Sequence, residues 1–540
     1  MNRHINWARK VKRYDHNLTY RHFFSGNFGE LRPVYLEDTV PGDTYKITPQ
    51  VRIYFAPLAV PTLANIKCRI DYFFVPNRLA WDQFDDFITG GADNNLNPAY
   101  PNIKNVYAAQ TTYANTVEDW TTSAAANNNS IICDLGHPTI MPGGSRDFVT
   151  KDPMDMIPLY DYLLIYDEYY RDEEKENYWF TQVAGIKADV YNCWASTAFA
   201  QTQYDNGGSP LRIAWAKDYF TSASLYQQRG VDIPLLNPIN AVLASTGNPP
   251  GVGKSPLYIA GPNNSDGAAP GNIYYGSGYA LASSLTINGL YRLKALQVWC
   301  NRNVVGGTRY IEQMRYHHGV ISSDARLQRP EMIGSCEFPV SIVPVTQTSA
   351  TDDTGEVVYP LADRAGQAQI VGSSKTLTFS CEEYGYIIGI LHVAPKPAYF
   401  QGLRRNLQRT NRFDFFWHEF EDLPQQPIYK NEIWVNAQVE DTLADTTPWA
   451  YQSMFSEYKL HNDEIHGDFR DSLLYWTMAR KFTSMPSPNS AQFLKVDSDP
   501  QGNNRIFAVP GDTDDPHLFG VVNNIVIAKR PIKNYEPVNF

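Results

Sequence analysis

The amino-acid sequence predicts a mainly β protein, an antiparallel sandwich or barrel that carries long insertions. Segments in which apolar and polar residues alternate lie towards both ends of the 540-residue chain, as in half-buried strands. Two stretches, at about 91–157 and 231–283, are rich in Asn, Pro and small residues and interrupt the middle of the chain. The few helical patterns do not alternate with strands, which disfavours a series of βαβ units.

The first two strands are predicted between residues 44 and 76. Val51, Ile53 and Phe55 alternate with more polar residues, and residues 66–72 alternate in the same way. This period of two is typical of a strand with one buried face. A helix should follow, with Asn77 as its N-cap and Gly90 at its C-terminus.

Helices are predicted in the middle of the chain and strands near its end. A second long helix should start at Pro158, because proline is tolerated in the first helical turn. Short helices are predicted within 286–300 and 309–318. Strands dominate again from Phe338 onward, in the segments 338–347, 375–395 and 520–531.

Composition excludes several classes of protein. Hydrophobic residues make up 43% of the chain and aromatic residues 13%, which excludes general disorder. The net charge of −11 disfavours a protein that coats nucleic acid with its whole surface. We expect no secretory signal and no membrane insertion, because no apolar run approaches the length of a span. The six scattered cysteines indicate free thiols rather than a metal cluster.

Short motifs of enzymes and metal sites are incomplete. The stretch Gly247–Ser255 resembles a phosphate-binding loop but has Asn248 where a glycine is required. A calcium-loop pattern that begins at Asp497 ends on Ala508 instead of glutamate. His418–Glu419 lacks the second histidine of a zinc protease. We therefore predict no enzyme, no catalytic or metal-binding residue and no cofactor.

Two basic segments are candidates for contact with single-stranded DNA, because positive charge and stacking surfaces together suit such binding. The first is the N-terminal arm, with aromatic Trp7 and Tyr14 among its cations. The second, the arginine-aromatic segment Gly402–Trp417, has three phenylalanines and a tryptophan. The alternative for the arm is an ordinary solvated tail. The alternative for the arginine-aromatic segment is an Arg-rich protein interface. The candidate DNA contacts are Arg3, Arg9, Lys10, Lys12, Arg13, Arg404, Arg405, Arg409 and Arg412.

Longer blocks of sequence resemble those of a known family. They include "YFFVPNRLAWDQFDDFITGG", "LYDYLLIYDEYYRDE", "GGTRYIEQMRYHHGVISSDARLQRPEMIGS" and "QGLRRNLQRTNRFDFFWHEF". In sequence and order they resemble the major capsid proteins of the Microviridae, small single-stranded DNA phages, especially the gokushovirus type. The resemblance runs from about Pro41 to Arg530.

The resemblance implies a fold and a role. It implies an eight-stranded antiparallel jelly roll of the viral coat type over residues 41–540, preceded by a basic arm and lead-in over 1–40. The insertion at 231–283 is then a candidate surface protrusion at the three-fold axes. Many copies would form a T=1 icosahedral capsid around a circular single-stranded DNA genome and present the host-attachment surface. Pentamers are one route of assembly. A carbohydrate-binding or carbohydrate-active β-sandwich is the alternative function.

The same resemblance implies partners and a location. An internal scaffolding protein, a DNA pilot protein, a small basic DNA-binding protein and a host cell-surface receptor would accompany the subunit. Assembly in the host bacterial cytoplasm would place it in the virion.

A cluster of charged residues within Thr308–Ser335 remains to be explained. We interpret it as a surface for docking between subunits or for bracing loops, because paired charges fix the register of an interface. Its members are Arg309, Arg315, His317, His318, Asp324, Arg326, Arg329 and Glu331.

Overall fold

The computed structural model describes most of the chain, in two compact units. The described residues are 11–91, 96–98, 100–101, 131–136, 155–176, 210–229, 256–257, 273–274, 287–346, 348, 364–421, 423, 425–435, 445–496, 503–508 and 516–533. The first unit is formed by Met1–Leu225 with Val320–Phe540, and the second by Tyr226–Gly319. The predicted insertions at 91–157 and 231–283 therefore lie largely outside the described residues.

Strands account for most of the regular structure in the first unit. They are β1 (Tyr14–Asn17), β2 (Tyr20–Gly26), β3 (Arg32–Thr39), β4 (Thr44–Phe55), β5 (Ile66–Pro76), β8 (Glu331–Thr346), β9 (Arg364–Ser373), β10 (Leu377–Ser380), β11 (Gly385–Pro395), β12 (Ala398–Tyr399), β13 (Gln425–Tyr429), β14 (Pro448–Ser453), β15 (Asp463–Glu464) and β16 (Leu518–Arg530). Two short strands, β6 (Pro256–Leu257) and β7 (Ile273–Tyr274), pair in the second unit.

The main sheet is antiparallel and curled, with the order β1-β16-β4-β9-β8-β5-β11-β3. β2 pairs with β16 on the same side as β1 and so extends this edge of the sheet. β10 pairs with β4. The first part of β8 pairs with β5 and its second part pairs with β9. This long strand therefore passes from one half of the curled sheet to the other, as strands do at the corners of β-sandwiches. The predicted mainly β fold of the jelly-roll type is confirmed.

The core lies between the two halves of the curled sheet. Ile53 on β4, Val522 on β16, Ile70 on β5 and Phe338 on β8 meet there, all essentially inaccessible to solvent. These residues occupy alternate positions along their strands, and this periodicity made β4 and β5 predictable.

A second core explains the continuous apolar runs of β5 and β11. The opposite faces of these strands, including Phe73 and Ile388, pack against a helix that contributes Tyr160 and Leu163. Strands buried on both faces lose the alternation of polar and apolar residues. A third, smaller core lies around Phe493 and Ile428.

Helices are short in the first unit. They are α1 (Asn77–Ala80), α2 (Phe84–Thr89), α3 (Ile131–Asp134), α4 (Ile157–Ile165) followed by a π-helical turn (Tyr166–Tyr170), α7 (Lys430–Ile433) and α8 (Ala491–Leu494). Single 3-10 turns span Arg405–Leu407, Arg412–Asp414, His418–Phe420, Ser456–Tyr458, Gly467–Arg470, Leu474–Trp476 and Asn503–Ile506. The second unit contains α5 (Ile287–Gly306) and α6 (Tyr310–His318).

The helix predicted to start at Asn77 is interrupted. Asn77 is the first helical residue rather than the N-cap, and Trp81 adopts an extended backbone that separates α1 from α2. The Trp81 ring is fully buried in the second core, so tertiary packing outweighs the helical spacing. Gly90 closes α2 in the left-handed conformation, as predicted.

The range assigned to the arm and lead-in, 1–40, contains part of the main sheet. Strands β1, β2 and β3 lie within it, and Tyr14 pairs with Arg530 in the register of β1 and β16. The lead-in is therefore structural from Tyr14 onward. Sequence periodicity did not reveal these strands, because their burial depends on partners distant in the sequence, β16 for β1 and β2 and β11 for β3.

Candidate assembly and nucleic-acid surfaces

The charged cluster of Thr308–Ser335 begins in the second unit, on α6. Arg309 lies at the N-cap position, where its backbone N–H donates to Glu312 Oε2 at 3.2 Å. The Arg309 guanidinium also lies 3.7 Å from the Glu312 carboxylate. His317 hydrogen-bonds Asn303 Oδ1 of α5 at 2.8 Å. Arg309 thus stabilises the start of α6, and His317 joins α6 to α5.

The cluster continues in the first unit, where Arg329 anchors a loop. The Arg329 guanidinium lies 3.4 Å from Asp324 and 3.9 Å from Glu168. It also covers the Tyr169 ring, with its central carbon 4.3 Å from the ring centroid. Burial raises the pKa of Glu331, and the Asp324 carboxylate raises it further. These contacts are of the kind that loop bracing requires, and the bracing role of Arg329 and Asp324 stays a prediction.

Other members of the cluster face solvent. The exposed members are Arg315, His318 and Arg326. Charged side chains that are exposed on one chain can pair with groups of opposite sign on a neighbour and so select the correct contact.

Among the described residues, no group of three or more His, Cys, Asp or Glu side chains is placed to hold a metal ion.

Two arginines of the arginine-aromatic segment are engaged by acidic partners. The Arg405 side chain is only 21% exposed and lies 3.3 Å from Glu432 and 3.9 Å from Glu457. Arg404 pairs with Glu464. These ion pairs compete with phosphates for the Arg404 and Arg405 guanidinium groups. Contact of Arg404 and Arg405 with DNA stays a prediction.

The other two arginines of the segment stack on aromatic rings. The Arg409 guanidinium lies 4.9 Å from the Phe415 ring centroid and 5.0 Å from that of Tyr458. Arg412 lies 4.9 Å from the Phe413 ring centroid. These rings belong to a group of exposed aromatic side chains that we name the aromatic ridge. The ridge consists of Phe413, Phe415, Phe416, Trp417 and Tyr458.

Residues 404–407 of the same segment line a cleft of about 410 Å³. Glu464 on its wall forms an ion pair with Arg404 and a hydrogen bond with the His466 imidazole at 3.1 Å. These contacts hold the segment to the neighbouring loops. The acidic partners were not predictable from the sequence, because the two residues of the Arg404–Glu464 pair are 60 positions apart and no local pattern joins them.

The end of the basic arm lies on the edge of the main sheet. Lys12 and Arg13 are exposed and lead directly into β1. Arg13 lies over Gly42, where a Cβ atom would fall 2.5 Å from the guanidinium. The other predicted arm contacts, Arg3, Arg9 and Lys10, lie outside the described residues.

Comparison with known proteins identifies the family. Residues 6–537 match the family described as capsid protein (F protein). The chain belongs to this family. This capsid protein is 29% identical to capsid protein VP1 of Bdellovibrio phage phiMH2K over 493 residues, which cover 86% of the chain and 84% of the relative. It is 27% identical to capsid protein VP1 of Chlamydia phage 1, with 93% and 91% covered. Capsid protein VP1 of Spiroplasma virus 4 is 23% identical, with 94% and 92% covered.

These relatives confirm the resemblance to Microviridae coat proteins. The chain is a structural major capsid protein and not an enzyme, because the family and its relatives are structural proteins. They give no support to the carbohydrate alternative. Within the described residues, no helix of this capsid protein is long and apolar enough to cross a membrane.

Proposed function

We propose that this capsid protein assembles into a T=1 icosahedral shell around a circular single-stranded DNA genome, and that the shell presents the host-attachment surface. The aromatic ridge is the structural feature that best supports assembly of subunits. Aromatic residues and arginine are enriched in protein interfaces, and rings in well-packed pockets supply much of the binding energy there. A cluster of exposed rings is costly to leave in water and favours burial by a neighbouring subunit.

The charges around the ridge favour a protein partner over DNA. Asp414, Glu419 and Glu421 lie in the same stretch of chain as its rings, and the carboxylates would repel phosphates. A neighbouring subunit can supply both signs of charge. We therefore assign Arg409 and Arg412 to contact between subunits, which replaces their predicted role in binding DNA.

Further partners follow from the resemblance to gokushovirus-type coat proteins. An internal scaffolding protein and a DNA pilot protein would act with the subunit, and assembly in the host bacterial cytoplasm would precede its place in the virion. A small basic DNA-binding protein would help to offset the net charge of −11 of each chain. The exposed cluster residues Arg315, His318 and Arg326 are candidates for docking, and the insertion at 231–283 for contact with a host receptor.

The experiment compares particle formation by three full-length chains. The ridge variant, Phe413→Ser/Trp417→Ser, removes two exposed rings. The control, Leu63→Ser, removes a different exposed apolar side chain. Each chain is expressed with the neighbouring phage genes, and particles are analysed by sedimentation and negative-stain microscopy. Circular dichroism checks that each subunit is folded.

We expect closed, uniform particles from the wild type and the control, and folded but unassembled subunits from the ridge variant. A T=1 shell contains sixty equivalent subunits, so chains of 61.2 kDa predict about 3.7 MDa of coat protein. Wild-type particle yield from the ridge variant would contradict the assignment of the ridge. A clearly different particle mass would contradict the T=1 arrangement.

A further inference from the structure

One face of the main sheet has a charge opposite to that of the chain. The chain contains 57 acidic and 46 basic residues. The five strands β1, β2, β4, β9 and β16 together contain Asp15 as their single carboxylate, against six Lys and Arg residues. The register of these strands shows where the charges lie.

Neighbouring strands place exposed residues in rows across this face. Phe23 on β2, Val521 on β16, Arg52 on β4 and Val371 on β9 are paired in turn across the sheet. Their neighbours along each strand point into the core, so the whole row faces away from it. Residues paired in this way have Cβ atoms about 4.5–5.5 Å apart, so rings and cations in adjacent rows form one surface.

Aromatic rings lie at one end of this surface. Phe23 is 73% exposed, and Tyr54 and Phe519 are each 43% exposed. Tyr54 and Phe519 are directly paired across β4 and β16, while Phe23 lies opposite Val521, diagonal to Phe519. Single exposed rings are common on protein surfaces, but three adjacent rings on a sheet face offer a platform on which flat groups can stack.

Cations follow the rings along the same face. Arg52 lies beside the aromatic platform, Arg21 is one row further along the sheet, and Lys46 and Lys529 lie towards the end of β16. All four side chains are exposed. The ten-residue separation of Phe519 and Lys529 corresponds to roughly 34 Å of strand. Together the four cations and three rings form what we name the basic track.

We propose that the basic track binds single-stranded DNA, with bases stacked on its rings and phosphates paired with its cations. This inference rests on the proposal that the shell encloses such a genome. An acidic protein can bind DNA only through a local positive surface, and the track is such a surface. Its two lysines also favour nucleic acid over a protein partner, because lysine is depleted at protein interfaces.

The described end of the N-terminal arm lies next to the track. Asp15 of β1 lies opposite Lys529 in the strand register, so Lys12 and Arg13 enter the sheet beside the lysine end of the track. These two cations extend the same positive surface. The cations of the track were not among the predicted DNA contacts, because they are spread over three strands that only the sheet brings together.

Binding of single-stranded DNA by the full-length, unassembled subunit tests the proposal. The probe is a fluorescein-labelled oligothymidylate of about 20 nucleotides, longer than the sites of typical single-strand-binding folds. Fluorescence anisotropy gives the affinity at salt concentrations between about 50 and 200 mM, a range over which the affinity of electrostatic binding falls steeply. The track variant is Arg21→Gln/Arg52→Gln. The matched control is Lys67→Gln/Lys481→Gln, which removes two exposed cations outside the track.

We expect the slope of log affinity against log salt to fall by about 1.4 in the track variant, because each phosphate contact on a single strand contributes about 0.7. The control should keep the wild-type slope. Phe23→Ser should weaken binding by roughly tenfold at every salt concentration, because a lost stacking contact is independent of salt.

Three outcomes would overturn the proposal. They are equal slopes for the track variant and the control, absence of binding by the wild type, and loss of particle closure in the track variant with its DNA affinity unchanged. The last would identify the track as a protein interface. Particle formation by the same chains, followed by microscopy, separates these outcomes from a failure of the capsid proposal itself. If closed particles form and the slopes are equal, the shell stands and the DNA site does not.

Discussion

Arg32 joins α3 to the main sheet through buried ion pairs, and we expect its replacement by methionine to destabilise the first unit strongly. Its guanidinium donates to Asp134 Oδ2 at 2.8 Å and to Glu30 Oε2 at 2.8 and 3.0 Å. The Arg32 side chain is 2% exposed. Gly26 leaves the room for this group, because a Cβ atom there would fall 2.6 Å from Arg32 Nε.

The expected loss follows from the burial of both partners. Without Arg32, the carboxylates of Glu30 and Asp134 would stay buried, at 6% and 9% exposure, with no compensating cation. Removal of one member of a buried ion pair typically costs about 3–5 kcal/mol. The matched control is Arg78→Met, because Arg78 pairs with Glu383 where the side chains are 29% and 43% exposed. Exposed pairs contribute about 0–1 kcal/mol.

Urea unfolding of the full-length subunit, followed by tryptophan fluorescence, measures both losses. The pH dependence provides a second readout. Burial raises the pKa of Asp134 from 3.8 to about 6, so ionisation of Asp134 lowers the stability of the folded state as the pH rises through this interval. Loss of Arg32 increases that cost. The deficit of Arg32→Met should therefore be largest above pH 6 and shrink towards pH 4.

An Arg32→Met variant that lost no more free energy of unfolding than Arg78→Met would show that burial of the Arg32 ion pairs does not set the cost. A deficit that did not change with pH would show that lost packing, rather than uncompensated charge, causes the effect. The triple variant Glu30→Gln/Arg32→Met/Asp134→Asn removes all three charges together. We expect it to recover most of the loss, because replacing a complete buried ion network is often neutral.

Three further changes test other parts of the first unit. Asp161 is fully buried, and burial raises its pKa well above 3.8, so a carboxyl at this position costs stability as the pH rises. Asp161→Asn should therefore increase the urea midpoint at pH 7 and lose this advantage towards pH 4. An unchanged midpoint at pH 7 would contradict this. Gly402→Ala would place its Cβ atom against the Glu432 carbonyl oxygen and should cost roughly 1–3 kcal/mol of stability, whereas a neutral effect would show that the segment can shift. Arg329→Met should release the loop that Arg329 holds against Tyr169, detected as faster proteolysis between residues 320 and 330; wild-type cleavage would indicate that the loop is held by other contacts.

Secondary structure was most predictable where burial follows a local period of residues. The alternation at Val51, Ile53 and Phe55 reflects one buried strand face, and these residues lie in β4 as predicted. The left-handed cap at Gly90 is also local, because only the chain beside it determines its backbone conformation. The interruption at Trp81 was not predictable in this way, because it depends on an aromatic core assembled from several segments.

The candidate surfaces were less predictable than the fold. The arginine-aromatic segment has the composition of a DNA site, yet its charge is partly neutralised by Glu432, Glu457 and Glu464. The charged cluster of Thr308–Ser335 is continuous in the sequence, but its members divide between the two units. Composition therefore identified where charge and rings are concentrated, and not which partners they already have.

The mainly β fold class, the principal strands and the resemblance to a coat protein were predictable from the amino-acid sequence, because each depends on order and spacing along the chain. The folded structure was needed to show that β1, β2 and β3 belong to the sheet, that Arg404 and Arg405 are paired, and that Arg21, Arg52 and Lys529 share one face. Ion pairs and strand registers join residues up to about five hundred positions apart, as in the pairing of Tyr14 with Arg530. Their energies depend on distance in space, which no local pattern of residues records.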